Sequence, residues 1–133
     1  MASDNKGNVE RMLAFIKDVQ QDGKMELFDD FVHPDFQDHP LGSSPVTGRG
    51  PARQLMEGLR SVFSDIKVQV LQCIEQDGVV ATNKVLTGVL VKEWHGIVPD
   101  GRRVELRIMD FVRFRDGKMV EHWSAVNPHV PEK

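Results

Sequence analysis

From Arg103 to Arg115 the chain alternates between two kinds of position. One set is Val104, Leu106, Ile108, Asp110, Val112 and Phe114; the other is Arg103, Glu105, Arg107, Met109, Phe111, Arg113 and Arg115. A period of two predicts a half-buried strand with the first set facing inward. "IKVQVLQCIEQ" and "VVATNKVLTGVLV" alternate in the same way around Asp77–Gly78, a hairpin signal. "RVELRIMDFVRFRDGKMVEHWSAV" predicts a second hairpin, around Asp116–Gly117. Upstream of Ile66 the period is helical. Val9, Met12, Leu13, Ile16 and Val19 predict an amphipathic helix from Asn8 to Gln21, broken by "DGK" at 22–24. "MELFDDFV" predicts a short helix that stops before Pro34, and the proline- and glycine-rich "HPDFQDHPLGSSPVTGRG" predicts a loop. A third helix begins at Pro51 and carries Leu55, Met56, Leu59, Val62 and Phe63 on one face. Helices precede strands without βαβ alternation, so the expected class is α+β: N-terminal helices against an antiparallel sheet. One domain over residues 1–133 is expected, with 1–7 as a flexible tail.

Asp110 is the one charged member of an otherwise apolar face, and an unpaired buried charge costs several kcal/mol or more. Its partner depends on the hairpin register. A two-residue Asp116–Gly117 turn sets Asp110 opposite Trp123 and the like charges Arg115 and Lys118 opposite each other. A three-residue loop pairs Phe114 with Lys118, Asp110 with His122 and Ile108 with Ser124. Like charges in direct opposition are unfavourable, which favours the second register over the first. Asp110 and His122 then share the inner face as a coupled acid/base pair, with Ser124 diagonal to the aspartate. A buried pair that only pins the register is the alternative.

Composition narrows the function. The net charge of −3 leaves no electrostatic footprint for nucleic acid. No apolar run approaches the ~18 residues of a membrane span, and the N-terminus does not read as a signal peptide. The single Cys73 excludes an internal disulfide framework and fits a reducing cytoplasm, where the chain is expected. With no tyrosine, a mechanism that needs a phenolic hydroxyl is closed.

Other residues enter as candidates for substrate binding. His39 in "QDHP" could orient a carbonyl, and Trp94 with Ile97 in "EWHGIVP" could wall a pocket. Enolate chemistry needs hydrogen-bond donors at the developing oxyanion, and His39, His122, Ser124 and Asn83 are available. Ile108 lies on the Asp110 face. His33, Asp35, Asp38 and His39 lack a metal-ligand spacing, so no metal site is expected. The outward Met109, Phe111 and Trp123 are too apolar for a solvated face and suggest a homodimer.

The pieces "TG" at Thr87–Gly88, "EWHGIVPDGRRV", "MDFVRF", "DGKMVEHW" and "FQDHP" together resemble the SnoaL-like polyketide cyclases and predicted ester cyclases. These belong to the nuclear transport factor 2-like superfamily, a cystatin-like cone. The resemblance implies helices in the concavity of a curved sheet, one enclosed pocket, and dimers through the outer sheet face. It also implies cofactor-independent ring closure with a pocket carboxylate as acid/base; by position this is Asp110, with His122 and Trp123 in the family's His–Trp pair. Ketosteroid isomerase-type and scytalone dehydratase-like schemes on this fold need tyrosine. The expected function is therefore a cofactor-independent enzyme for a small, largely apolar carbonyl compound. The alternative is a non-catalytic binding or dimeric scaffold module. Asp110 and His122 would be catalytic; His39, Trp94, Asn83, Ser124 and Ile108 would contact substrate.

Overall fold

The computed structural model describes residues 3–40, 42 and 44–130. Helix α1 (Ser3–Phe15) starts earlier than the apolar spacing suggests and continues without a break into a π-helical segment, Ile16–Gln21. A 3₁₀ turn (Met25–Leu27) leads into α2 (Phe28–Phe31), and α3 spans Arg49–Ser61. The strands are β1 (Val32–Pro40), β2 (Val46–Thr47), β3 (Phe63–Gln76), β4 (Val79–Leu90), β5 (Arg103–Arg115) and β6 (Lys118–His129). They form one sheet in the order β2-β1-β6-β5-β4-β3.

Two features of the sheet differ from the sequence expectation. The segment expected to be a loop contains β1, which pairs in parallel with β6, so the sheet is mixed rather than antiparallel. Proline is tolerated at irregularities and strand ends: Pro34 falls where the β1–β6 ladder is interrupted between Val32 and Gln37, and Pro40 is the last residue of β1. The other concerns the last hairpin. Arg115 does sit opposite Lys118 across a two-residue turn, with Asp116 and Gly117 at φ 54° and 76°. Left-handed geometry at both positions matches strand twist. Repulsion between two solvated cations is a few tenths of a kcal/mol and does not outweigh it.

That turn alone would send His122 outward. The ladder shifts between Arg113 and Phe114: Phe114 pairs with Met119, but Arg113 pairs with Glu121, leaving Val120 as the extra residue of a bulge. The bulge restores the parity. Asp110 lies opposite Ser124, Val112 opposite His122, and both Asp110 and His122 face inward.

The helices cover this inner face. Met12, Phe15 and Val19 pack with Phe28 and Phe31 against Val80, Val112, Phe114 and Met119. A second cluster, around Phe63, Leu86, Leu90, Val104 and Leu106, fills the other end and includes the partly buried Trp94 and Ile97. Gly88 belongs to this end: a Cβ there would stand 3.0 Å from the Phe63 side chain, so any larger residue would have to push the ring aside. Leu55, expected on the buried face of α3, is half-exposed, and Ala52 is buried in its place.

Candidate active site

One inward residue from each of four adjacent strands forms a row of alternating charge. Asp38 on β1 is the ladder partner of His122 on β6. Its Oδ1 lies 2.8 Å from His122 Nδ1. The other ring nitrogen, Nε2, is 3.2 Å from Asp110 Oδ2 on β5, a diagonal contact. Lys84 on β4 brings its Nζ to 3.2 Å from the same Asp110 oxygen. Lys84 is 1% exposed and Asp110 3%. Asp110 Oδ1, by contrast, has no hydrogen-bond partner among the described residues.

The row determines its own protonation. Burial by itself would push the Asp110 carboxyl upward. The Lys84 ammonium, followed by the hydrogen bond and charge of His122, outweighs burial and holds it below its ordinary value. For His122, burial favours the neutral ring, but hydrogen bonds to Asp110 and then Asp38, with the charges of both carboxylates, raise its pKa to about 9. At neutral pH the row therefore reads carboxylate, imidazolium, carboxylate, ammonium, and its charge sums to zero. The ring carries a proton on each nitrogen and donates to an aspartate on either side.

A cavity of about 200 Å³ lies between this row and the helices. Met12, Phe15, Phe28, Val32 and Val112 supply apolar walls, and Gln20, Lys84, Asp110, His122, Asp38 and Ser124 the polar ones. Phe36 stacks on the His122 ring at 6.5 Å. A larger groove of about 820 Å³ lies outside the sheet between Ile74, Phe111, Arg113 and Trp123. It is an open surface without a buried charge cluster, whereas the inner cavity is bordered by the four-residue charge row.

Of the residues singled out in the sequence, the fold brings Asp110, His122, Ser124 and Ile108 to this cavity. Three others lie elsewhere. His39 is on the outer face, because β1 is a strand and alternation turns it away from Asp38. It stacks on Trp123 at 5.2 Å and its Nε2 is 3.2 Å from Glu121. Asn83, an odd member of β4, also faces outward and donates to Gln72 Oε1 at 3.1 Å. Trp94 packs edge-on against Phe63, 5.6 Å between ring centres, in the second core cluster.

Lys84 and Gln20 escaped the sequence reading, though both left a signal there, and Asp38 was weighed only as a metal ligand. Lys84 is the charged member of the inward set Val80, Thr82, Lys84, Leu86, the same anomaly that marks Asp110. Gln20 lies four residues after Ile16 on an apolar helix face. Asp38 was hidden once its segment was read as a loop.

The family model described as SnoaL-like polyketide cyclase matches residues 10–129. Among solved structures, AclR from Streptomyces galilaeus is 24% identical, with a TM-score of 0.80 over 92% of this chain and 90% of that one. IdmH from Streptomyces antibioticus is also 24% identical, with a TM-score of 0.76 over 90% and 91%. An LEH-like epoxide hydrolase from M. tuberculosis is 13% identical, with a TM-score of 0.74 over 93% and 85%. At these identities the structural likenesses establish the fold. No curated protein matches the chain.

Proposed function

The chain belongs to the SnoaL-like polyketide cyclase family, and from that membership and its half-paired buried carboxylate we propose an enzyme that moves protons on a small, largely apolar carbonyl compound. The observation that carries this reading is Asp110. It is ionised at the wall of a partly open cavity with apolar sides, one oxygen is held by two cations, and the other has no partner among the described residues.

Asp110 Oδ1 is the general base. It takes a proton from the carbon next to the substrate carbonyl, and the electron pair left behind moves onto the carbonyl oxygen. The Lys84 ammonium and the His122 imidazolium are the positive charges nearest the developing enolate, and a water-poor site strengthens their effect. In a ring closure the enolate carbon attacks a second carbonyl of the same molecule. The new alkoxide takes a proton from His122 or from the protonated Asp110. Atoms and electrons balance among substrate and side chains, so the scheme uses no cofactor. Asp38 keeps His122 protonated and aimed at Asp110, and Ser124 and Ile108 border the substrate.

The test is deuterium exchange next to the carbonyl of 2-tetralone, a small bicyclic ketone, followed by NMR in D₂O. Exchange above the buffer rate is expected, level across neutral pH and falling above about 9 as His122 loses its proton. Asp110→Asn should reduce it by about 10²- to 10⁴-fold. Exchange that survives in Asp110→Asn with the fold intact would remove Asp110 as the base.

A second reading, a binding module, draws on the zero net charge of the row, since a fully compensated buried network can serve to hold four strands in register. Under it, Asp110→Asn changes stability and no rate. In either reading we propose that the outer face, through Met109, Phe111 and Trp123, pairs with a second copy of the chain.

A further inference from the structure

Asp110 Oδ1 is not the cavity's only unpaired polar atom among the described residues. Gln20 Oε1 is also buried without a partner, and Gln20 lines the same cavity from the helical side. Asn83 Oδ1 lacks a partner too, but Asn83 does not line this cavity. A buried polar atom without a hydrogen bond is destabilising, so two in one cavity, one from the sheet and one from the helical side, call for an explanation.

The backbone that carries Gln20 is held in place. It sits in the π-helical segment, a distortion often found at functional sites. Arg60 on α3 pins the end of that segment: its Nε donates to Gln20 O at 3.1 Å, and a terminal nitrogen donates to Gln21 O at 2.9 Å. Gln21 Oε1 in turn accepts the Val68 backbone N–H at 2.8 Å, tying the segment to β3. Gly23, at φ 74°, makes room for the Arg60 guanidinium, because a Cβ there would meet it at 2.5 Å.

Resting on the reading of this cavity as the ligand site, we propose that it takes a neutral ligand with a hydroxyl at each end of an apolar body, one donating to Asp110 Oδ1 and the other to Gln20 Oε1. An ionised carboxylate and an amide oxygen accept hydrogen bonds and donate none, so the ligand supplies both protons. The charge row sums to zero, which disfavours an anion. Met12, Phe15 and Val112 among the cavity's walls supply apolar contact for a hydrocarbon body. Gln20 is thereby a specificity-determining residue: it selects hydroxylated compounds over ethers of the same shape.

The experiment is calorimetric binding of dihydroxynaphthalene isomers, and of their mono- and dimethyl ethers, to the full chain. At least one diol should bind, with its monomethyl ether about tenfold weaker and its dimethyl ether about a hundredfold weaker. In Gln20→Leu the diol should fall about tenfold, to the level of a monomethyl ether. Ethers that bind as tightly as the diol, or a set in which no diol binds, would overturn the inference. Should Gln20→Leu fail to fold, the ether comparison in the unsubstituted protein still decides. Binding is read here without turnover. Ether-insensitive binding sinks this inference and leaves the acid/base reading standing, whereas exchange that survives in Asp110→Asn does the reverse.

Discussion

His122 shows how much a single side chain depends on its neighbours. Its ring lies between two carboxylates and is 24% exposed, and those carboxylates raise its pKa from 6.5 to about 9. A raised folded-state value means that the imidazolium stabilises the fold fully below pH 6.5, the unfolded value, and that this contribution disappears as the pH rises through 9. The contribution is on the order of 3 kcal/mol. Denaturant midpoints should therefore fall between pH 6.5 and 9.5, and His122→Asn should flatten that slope. Asp110 acts at the other end of the scale. Its lowered value places its stabilisation above pH 3.8, to be lost as the pH falls through the folded value. An unchanged midpoint from pH 6.5 to 9.5 would mean that His122 is not held as an imidazolium.

At the scale of elements, position in the fold follows from small local devices. The Val120 bulge turns His122 inward, and the left-handed Asp116–Gly117 turn starts the hairpin that the bulge corrects. Gly23 plays the corresponding part on the helical side. Gly23→Ala imposes strain at φ 74° and displaces Arg60 from the Gln20 and Gln21 carbonyls. It should cost about 1–2 kcal/mol in chemical denaturation. It should also weaken the preference for diols over their ethers, because the segment that aims Gln20 loses its anchor. Full stability in Gly23→Ala would show that Arg60 is not held there.

The whole molecule has two faces with opposite characters. Inside the sheet, charge is buried and compensated. Outside, Ile74, Met109 and Phe111 are 68%, 57% and 54% exposed, and Trp123 lies across from Phe111. Exposed apolar surface of this kind is what the proposed pairing with a second copy would cover. Arg113 and Glu121, 3.2 Å apart, supply a charged border. Light scattering of the native chain should give twice the 15.1 kDa chain mass, and Phe111→Lys should return it to the single-chain value without loss of fold. A native chain that already runs at 15.1 kDa would rule the pairing out.

Local pattern was enough for part of this account. Alternation located β3 to β6 and both hairpins, and it marked Asp110 as a charge on a buried face, because side-chain direction along a strand follows from residue parity alone. The same rule, applied to β4, would have marked Lys84. What parity cannot supply is how far one strand is offset from the next. The like-charge argument at Arg115 and Lys118 chose the wrong turn, since a few tenths of a kcal/mol at the surface is small beside backbone twist and the burial of Val120. Nor does pattern reveal a parallel pairing between residues 84 positions apart. Asp38 meets His122 only because β1 docks beside β6, and His39 turns away for the same reason. Composition and periodicity thus determined the class, the strands and the anomalous charge. Only the packing of helices and distant strands into one cone decided which charges meet, which stay unpaired, and what the cavity between them can hold.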